Sequence, residues 1–296
     1  MLGNLFRRQF DLAHAQIRLA RADDLPRLSR MLVDAERRYY NIESSDLPRL
    51  LEAMPTVLLE TNGTLLGAVI PSWREQRVTW VRGVGVIRGV HVADATRRML
   101  LHLHYELGLR GLREVFYASE NTAASWLTPV LTELGYVHDT DVVVYEKHNL
   151  SLPALGNQDV LVRPVNFSDM PALMDLDARC FEPQWRMHEA AMVRSMGEPG
   201  LFLVAQAGER LLGYAYISKH FDGRLVHLVR IAVDPHQQCR GIGTRLMAEM
   251  VHYAQHLHAD LLTLNTQAYN ERAQRLYRWF GFVPNGDQQQ ILRGVL

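Results

Sequence analysis

The sequence predicts a mixed α/β protein of two tandem copies of one unit, each a mixed β-sheet flanked by helices. Three observations carry this. A chain of 296 residues is about twice the common domain size of roughly 150. It repeats itself at an offset of 145 to 146 positions. The segments of each copy follow the order β-α-α-β-β-β-α-β-α, which is not the regular alternation of a doubly wound sheet.

The repeat opens with Arg18/Arg163, Asp24/Asp169, Pro26/Pro171 and Leu28/Leu173, all 145 apart. Leu65-Leu66-Gly67 then matches Leu211-Leu212-Gly213 at 146, the extra residue falling in the turn around Gly63 and Gly208. From Ala93 and Cys239 onward the copies are read against each other without a gap. Residues 1–150 form the first copy, 151–159 a linker and 160–296 the second copy.

In the second copy Val160 to Arg163 reads as a short strand. Asp169, or Ser168 before it, caps a helix with Leu173, Leu176 and Phe181 at helical spacing. LFLVAQ and RLLGYAYIS flank Ala207-Gly208-Glu209 as a hairpin. LVHLVRIAV is a strand, and GIGTRLMAEMVHYAQHLH a helix with Leu246, Met250 and Tyr253 on one face. DLLTLN is a strand, and NERAQRLYRWF a helix that Gly281 closes.

With 32 basic and 32 acidic residues the formal net charge is zero, so composition gives no support to a nucleic-acid or anionic-membrane partner held by bulk electrostatics. No apolar run approaches the roughly 18 residues of a bilayer span. The start, MLGNLFRRQF, lacks an export core and cleavage site, which reads as an unexported, cytoplasmic protein. Cys180 and Cys239 are expected as reduced thiols, and His252 and His256 as a structural or exposed pair with no third metal ligand. No metal is expected.

The chemistry concentrates in Val233 to Met247, VDPHQQCRGIGTRLM. A strand ends, a loop follows, and a helix opens on Gly241, Gly243 and Thr244, so backbone N–H groups converge where the helix dipole is positive. Such a cradle suits a pyrophosphate, and glycines permit close approach. It lacks the lysine of a nucleotide-triphosphate loop and the third glycine of a dinucleotide fingerprint. Downstream, Asn270, Ala273, Leu276, Tyr277 and Gly281-Phe282 form N-x-x-A-x-x-L-Y-x-x-x-G-F.

Together with Gln238-x-x-Gly241-x-Gly243, that pattern resembles the GNAT superfamily of acetyl-CoA-dependent N-acetyltransferases over about Val160 to Leu296. The resemblance implies acetyl-CoA as acyl donor. It places the coenzyme on Ile231, Ala232 and Val233 of the strand, on Gln238, Cys239, Arg240, Gly241, Ile242, Gly243 and Thr244 of the loop, and on Asn270. It implies direct transfer to an amine, an oxyanion donor from the bulged strand Arg230 to Val233, and Tyr277 as general acid to the leaving thiolate. For the base three alternatives stand: His227 on the strand, Glu182 in CFEPQW, or water. CFEPQW resembles a segment of the acetyltransferases that modify ribosomal-protein N-termini. The acceptor is therefore expected to be an amine on a peptide or a small molecule.

At an offset of 146 the first copy has lost this chemistry. Gln238, Gly241 and Gly243 meet Val92, Ala95 and Arg97; His227 meets Val81, Asn270 meets Ala124, and Tyr277 meets Leu131. Leu246/Leu100, Met247/Leu101 and Gly281/Gly135 remain as framework. Arg97 and Arg98 leave a nonproductive anion site open as an alternative. A tandem arrangement with an active C-terminal copy resembles proteins of the mycothiol synthase type, and the extra copy could stand in for a homodimer partner. The alternative function is a non-enzymatic acyl-CoA sensor or assembly module.

Overall fold

The protein's structure is a computed structural model that describes residues 10–296; most of the MLGNLFRRQF stretch, and with it the reading of an unexported start, lies outside the described residues. The chain divides into two compact units, one taking the chain up to Asp139 together with Gln290–Leu296, the other Thr140–Gln289.

The first unit runs β1 (Gln16–Leu19), α1 (Leu25–Asp34), β2 (Arg37–Tyr40), α2 (Leu47–Ala53), β3 (Val57–Thr61), β4 (Thr64–Pro71), β5 (Val78–Val86), α3 (Val92–Leu109), β6 (Glu114–Ala118), α4 (Asn121–Glu133) and the start of β7 (Val137–Lys147). The second runs β8 (Leu161–Pro164), α5 (Met170–Cys180), α6 (Glu189–Gly197), β9 (Gly200–Ala207), β10 (Arg210–His220), β11 (Leu225–Val233), α7 (Ile242–His256), β12 (Leu261–Gln267), α8 (Glu271–Trp279) and most of β13 (Val283–Val295).

The sequence copies part near residues 150 to 160, but the folded units exchange their last strands. Val142–Lys147 of β7 pairs antiparallel with β12 inside the second unit. Ile291–Val295 of β13 pairs antiparallel with β6 inside the first. The second unit's sheet is thus ordered β7-β12-β11-β10-β9-β8, with only the β11–β12 pair parallel. β13 occupies a stretch that carried no expected element. Its residues Val283 to Gln290 are largely exposed, and burial resumes only at Ile291 and Leu292.

The opening repeat reflects one device used twice. Arg18 grips Asp24 through two bonds of 2.6 and 2.8 Å, and Arg163 grips Asp169 through two of 2.7 and 2.8 Å. Asp169 also accepts from the Asn166 amide, so it closes the short turn that leads into α5. A proline stands in the first turn of α1 and of α5, where its missing N–H costs nothing. Leu28 and Leu173 then point into the two cores with no exposed surface, each contributing about 2 kcal/mol by burial.

In the second unit α7 covers one sheet face through Ile242, Leu246, Met250 and Ala254, joined by Tyr145 from β7 and Tyr277 from α8. α5 and α6 cover the other through Leu173, Leu176 and Met192 against Tyr214 and Tyr216. Gly281, at φ +83°, ends α8, and the Phe282 amide reaches back 3.0 Å to the Tyr277 carbonyl. Among the described residues no helix is long and apolar enough to cross a membrane.

The hydrogen-bond pattern corrects the alignment of the copies. A methyl added at Gly67 would strike Met99, and one added at Gly213 would strike Leu246. Likewise Leu112 N bonds Leu107 O where Ala259 N bonds Ala254 O. From β5 through β6 the true offset is therefore 147. Leu246 and Met247 match Met99 and Leu100, which explains why Leu101 is 52% exposed while Met247 is fully buried. The positions of Gln238, Gly241, Gly243 and His227 are held by His91, Asp94, Thr96 and Trp80. Apolar doublets such as Leu100-Leu101 read equally well in either register, so the pattern could not separate them.

Candidate active site

The site begins with a break in the sheet. β11 pairs with β12 only from Leu225↔Leu261 to Leu228↔Leu264, although β11 runs on to Val233. Its register against β10 slips between Leu228 and Arg230, leaving Val229 as an extra residue. Such a bulge adds twist and re-aims the backbone beyond it. β11 and β12 consequently diverge. The edge of Arg230 to Val233 faces the gap, in line with the expected bulged strand.

The following loop is set by Asp234, which is fully buried. It accepts from the His236 amide at 2.9 Å and meets Arg210 at 3.1 Å and Arg179 at 3.4 Å. Burial alone would raise its carboxyl, but these donors hold it below the ordinary range. Beyond it the chain turns through the left-handed region at Cys239 (φ +61°) and Gly241 (φ +74°). Gly241 is the N-cap of α7. The first helical bond is Arg245 N to Gly241 O, so the amides of Ile242, Gly243 and Thr244 precede the ladder. A Cβ on Gly243 would meet only Leu276 at 3.5 Å and Val233 at 3.7 Å, ordinary contact distances. The fold does not need that glycine. A ligand packed against the backbone there would.

Gap and loop enclose a cleft of about 350 Å³. Ile231, Ala232 and Val233 line it from the strand; Gln238, Cys239, Gly241, Ile242, Gly243 and Thr244 from the loop; Asn270 and Tyr277 from α8 and its cap. Arg240 is the one expected coenzyme residue outside the lining. Its carbonyl is taken by the Asn157 side chain at 2.9 Å. The residues present thus fit a pyrophosphate-bearing coenzyme, with a glycine-lined N–H cradle at one end and an open strand edge leading from it. Arg272 was not foreseen. It lines the cleft, donates to the Gln238 side chain and approaches Cys239 Sγ at 3.3 Å, which puts a cation beside the cradle. Its signal was its place two residues after Asn270 in the first turn of α8.

Tyr277 is 4% exposed, beside Tyr145 (ring centroids 6.2 Å apart) and Phe282 (6.4 Å). Burial, with Tyr145 adding to it, raises its phenol, so it keeps its proton through the neutral range. Asn270 Oδ1 accepts from the Ala273 amide at 3.2 Å and caps α8. Cys180 also lines the cleft, but burial and then the charges of Asp177 and Asp234 push its thiol up to about 12, so it is no nucleophile at neutral pH.

His227 and Glu182 lie outside the lining. His227 is half-buried on β11, with Nδ1 2.8 Å from Thr263 Oγ1. Burial first, and His220 second, push its imidazole down to about 4. Glu182 is exposed at the start of the Pro183–Trp185 turn, where it accepts from Gln184 at 2.9 Å and Tyr269 at 3.3 Å.

The segment carrying Glu182 is anchored by a buried network that sequence spacing did not show. Arg230, at the bulge, donates through Nε to Asp177 (2.8 Å) and to the Tyr214 hydroxyl (2.8 Å), and through its other end to the Trp185 carbonyl (2.7 Å). Its guanidinium lies 3.7 Å from the Phe181 ring centre. Tyr214 donates to Asp177, whose second oxygen accepts from the Met187 amide at 3.0 Å. One cation thus ties the strand edge to the 181–187 loop.

In the first unit the corresponding slot is filled by protein. β5 pairs with β6 only over Val78 to Trp80, and the freed edge Gly83 to Val86 takes β2 as an antiparallel partner. These are the positions of Arg230 to Val233. Thr96, fully buried, stands where Gly243 does, and Leu131 where Tyr277 does. Arg97 is engaged by Asp94 and Glu133, and Arg98 by the carbonyls of Leu12 and Ala15. Neither arginine faces an anion cradle.

Comparison with known proteins agrees with this geometry. The model of the acetyltransferase (GNAT) family matches residues 170–282. An N-alpha-acetyltransferase RimI from Mycobacterium tuberculosis is 31% identical over 143 residues, which span 46% of this chain and 86% of that protein. A mycothiol acetyltransferase from Acidimicrobium ferrooxidans is 32% identical over 98 residues, about a third of each chain. Among solved structures, a tandem GNAT protein from the clavulanic acid biosynthesis pathway superposes with a TM-score of 0.61 at 14% identity, covering 95% of this chain and 98% of that one, a likeness of fold. With the cleft, the cradle and the tyrosine in place, the chain belongs to the GNAT acetyltransferase family.

Proposed function

We propose that the second unit transfers the acetyl group of acetyl-CoA directly to an amine, and that the acceptor class is the α-amine of a peptide. The observation that carries the reading is the single cleft in which the N–H cradle, the open edge of β11 and the protonated Tyr277 converge. The amine nitrogen bonds to the thioester carbonyl carbon as the carbon–sulfur bond breaks. The proton lost by nitrogen balances the thiolate that leaves. Backbone amides between Arg230 and Val233 receive the charge on the carbonyl oxygen, and Tyr277 donates a hydrogen bond toward the sulfur. Arg272 and the cradle hold the anionic end of the donor.

The base decides the acceptor. An imidazole with its affinity pushed down to about 4, like His227, is neutral at pH 7 and takes up protons only weakly. Lysine side chains, near 10.4, need a strong base, whereas an α-amine near 7.7 to 8.0 is already free in a sizeable fraction at neutral pH. With so weak a base in His227 the site favours peptide N-termini, with His227 or Glu182 directing the departing proton to water. CFEPQW beside the cleft and the RimI relative support the same class.

The test is acetyl-CoA with peptides bearing free or blocked N-termini and with small amines, while free thiol is followed. Thiol release that requires a free N-terminus supports the reading. Tight coenzyme binding with no acceptor-dependent release across the panel favours an acyl-CoA sensor instead.

A further inference from the structure

The Ser151–Asp159 stretch was expected only to connect the two copies, yet it lies within the second unit and braces the cradle. Asn157 binds two successive carbonyls of the loop. Its side-chain Nδ2 donates to Arg240 O at 2.9 Å, and its own amide donates to Gly241 O at 3.1 Å. Its Oδ1 accepts from the Asp159 amide at 2.9 Å, which leaves the NH₂ end directed at the loop. In a trans peptide the carbonyl and the following N–H point to opposite sides. Fixing the carbonyls of Arg240 and Gly241 on the Asn157 side therefore turns the N–H groups of Gly241 and Ile242 away from it. Both residues line the cleft, and Arg240 does not.

The approach depends on Gly156, at φ +74°. A Cβ there would lie 2.3 Å from Arg245 N and 2.7 Å from Gly241 O, so only glycine lets the stretch lie flat on the first turn of α7. Gln158 closes the brace: it accepts from Arg245 Nη1 and donates to the Leu155 and Gly156 carbonyls at 3.0 and 3.3 Å. The loop's own conformation would not hold these directions unaided, because Cys239 carries a side chain in the left-handed region.

We propose that Asn157, presented by Gly156, is a positioning residue for the anion cradle, aiming the Gly241 and Ile242 amides at the donor's pyrophosphate. This rests on the reading that the cleft takes acetyl-CoA. It makes a stretch between the two sequence copies part of the donor site, and it predicts a defect confined to donors that carry a pyrophosphate.

The test compares the wild-type full chain with Asn157→Ala and Asn157→Asp. Coenzyme A affinity is read by calorimetry, and kcat/KM is measured with acetyl-CoA and with S-acetylpantetheine, which has the same thioester but no pyrophosphate. Both variants keep the backbone bond to Gly241 O but lose the side-chain bond to Arg240 O, and losing the fixed direction of the Gly241 N–H toward an anion is expected to weaken coenzyme A roughly tenfold. The Asp variant, with no side-chain donor and an added negative charge, should be weaker still. kcat/KM should fall for acetyl-CoA and hold for S-acetylpantetheine. Unchanged coenzyme A affinity in both variants overturns the proposal. An equal loss with both donors also overturns it, because that is the mark of general disorder at the site. Failure of the wild type to bind coenzyme A would instead overturn the reading of the cleft on which the proposal rests.

Discussion

Gly243 shows how a single residue separates folding from function. Its missing Cβ is not demanded by packing, since the space beside it is bounded at 3.5 and 3.7 Å by two side chains. Gly243→Arg is expected to abolish coenzyme A binding by calorimetry while leaving cooperative unfolding in place; retained affinity would remove the loop from the donor site. Tyr277→Phe should lower kcat by roughly 10²-fold, a typical size for a lost acid or donor, with coenzyme affinity preserved. Full turnover in that variant would remove the hydroxyl from the chemistry. His104 and His227 are both pushed down to about 4, chiefly by burial. Between their unfolded value near 6.5 and about 4 the unfolded chain binds more protons than the folded one. Stability is therefore full above pH 6.5 and declines as pH falls, by up to about 3 kcal/mol per histidine. Urea melts at pH 7.5 and 5 should show the decline, and His227→Gln should reduce its slope. At this scale the sequence was most legible. The cradle glycines and Tyr277 sit in short motifs whose spacing reflects local geometry, whereas Asn157 reveals itself only once chain 83 residues away folds back onto it.

Among the elements, β11 does the most: its bulge opens the cleft and presents Arg230 to the 181–187 loop. Asp177→Ala would leave that buried guanidinium without its carboxylate, an expected loss of about 3 to 5 kcal/mol in urea unfolding. A loss under 1 kcal/mol would show the pair to be dispensable. Arg230 and Asp177 lie 53 residues apart on a strand and a helix, so no spacing rule joins them. β2 was equally hidden. The expected element order has no strand between the first two helices, yet Arg37–Tyr40 pairs with the free edge of β5. That pairing occupies with hydrogen bonds the edge whose counterpart in β11 borders the cleft. The strands and helices with clear periodicity were found close to their bounds; β13 was not, because polar residues from Val283 to Gln290 give no alternating signal.

For the whole molecule, the repeat identified two copies correctly but not how they share strands, since strand partners leave no mark in composition or period. A fragment of residues 160–296 lacks both the Asn157 brace and the β7 strand that carries Tyr145 to the back of α8. It is expected neither to unfold cooperatively nor to bind coenzyme A, whereas 140–289 should do both. The reverse result, read by circular dichroism and calorimetry, would show that the strand exchange is not needed.

That exchange also orders the molecule in time. As the chain leaves the ribosome, β6 is made early but must wait for Ile291–Val295 to complete its sheet. Thr140–Lys147 likewise emerges well before β12, its partner. The second unit is one continuous stretch and can close on its own, whereas the first cannot close as an independent cotranslational event, so its β6 edge stays open until late in synthesis, and such an edge invites mispairing. The two units would therefore be completed in the reverse of their chain order, the first only when Ile291–Val295 follows the finished second unit.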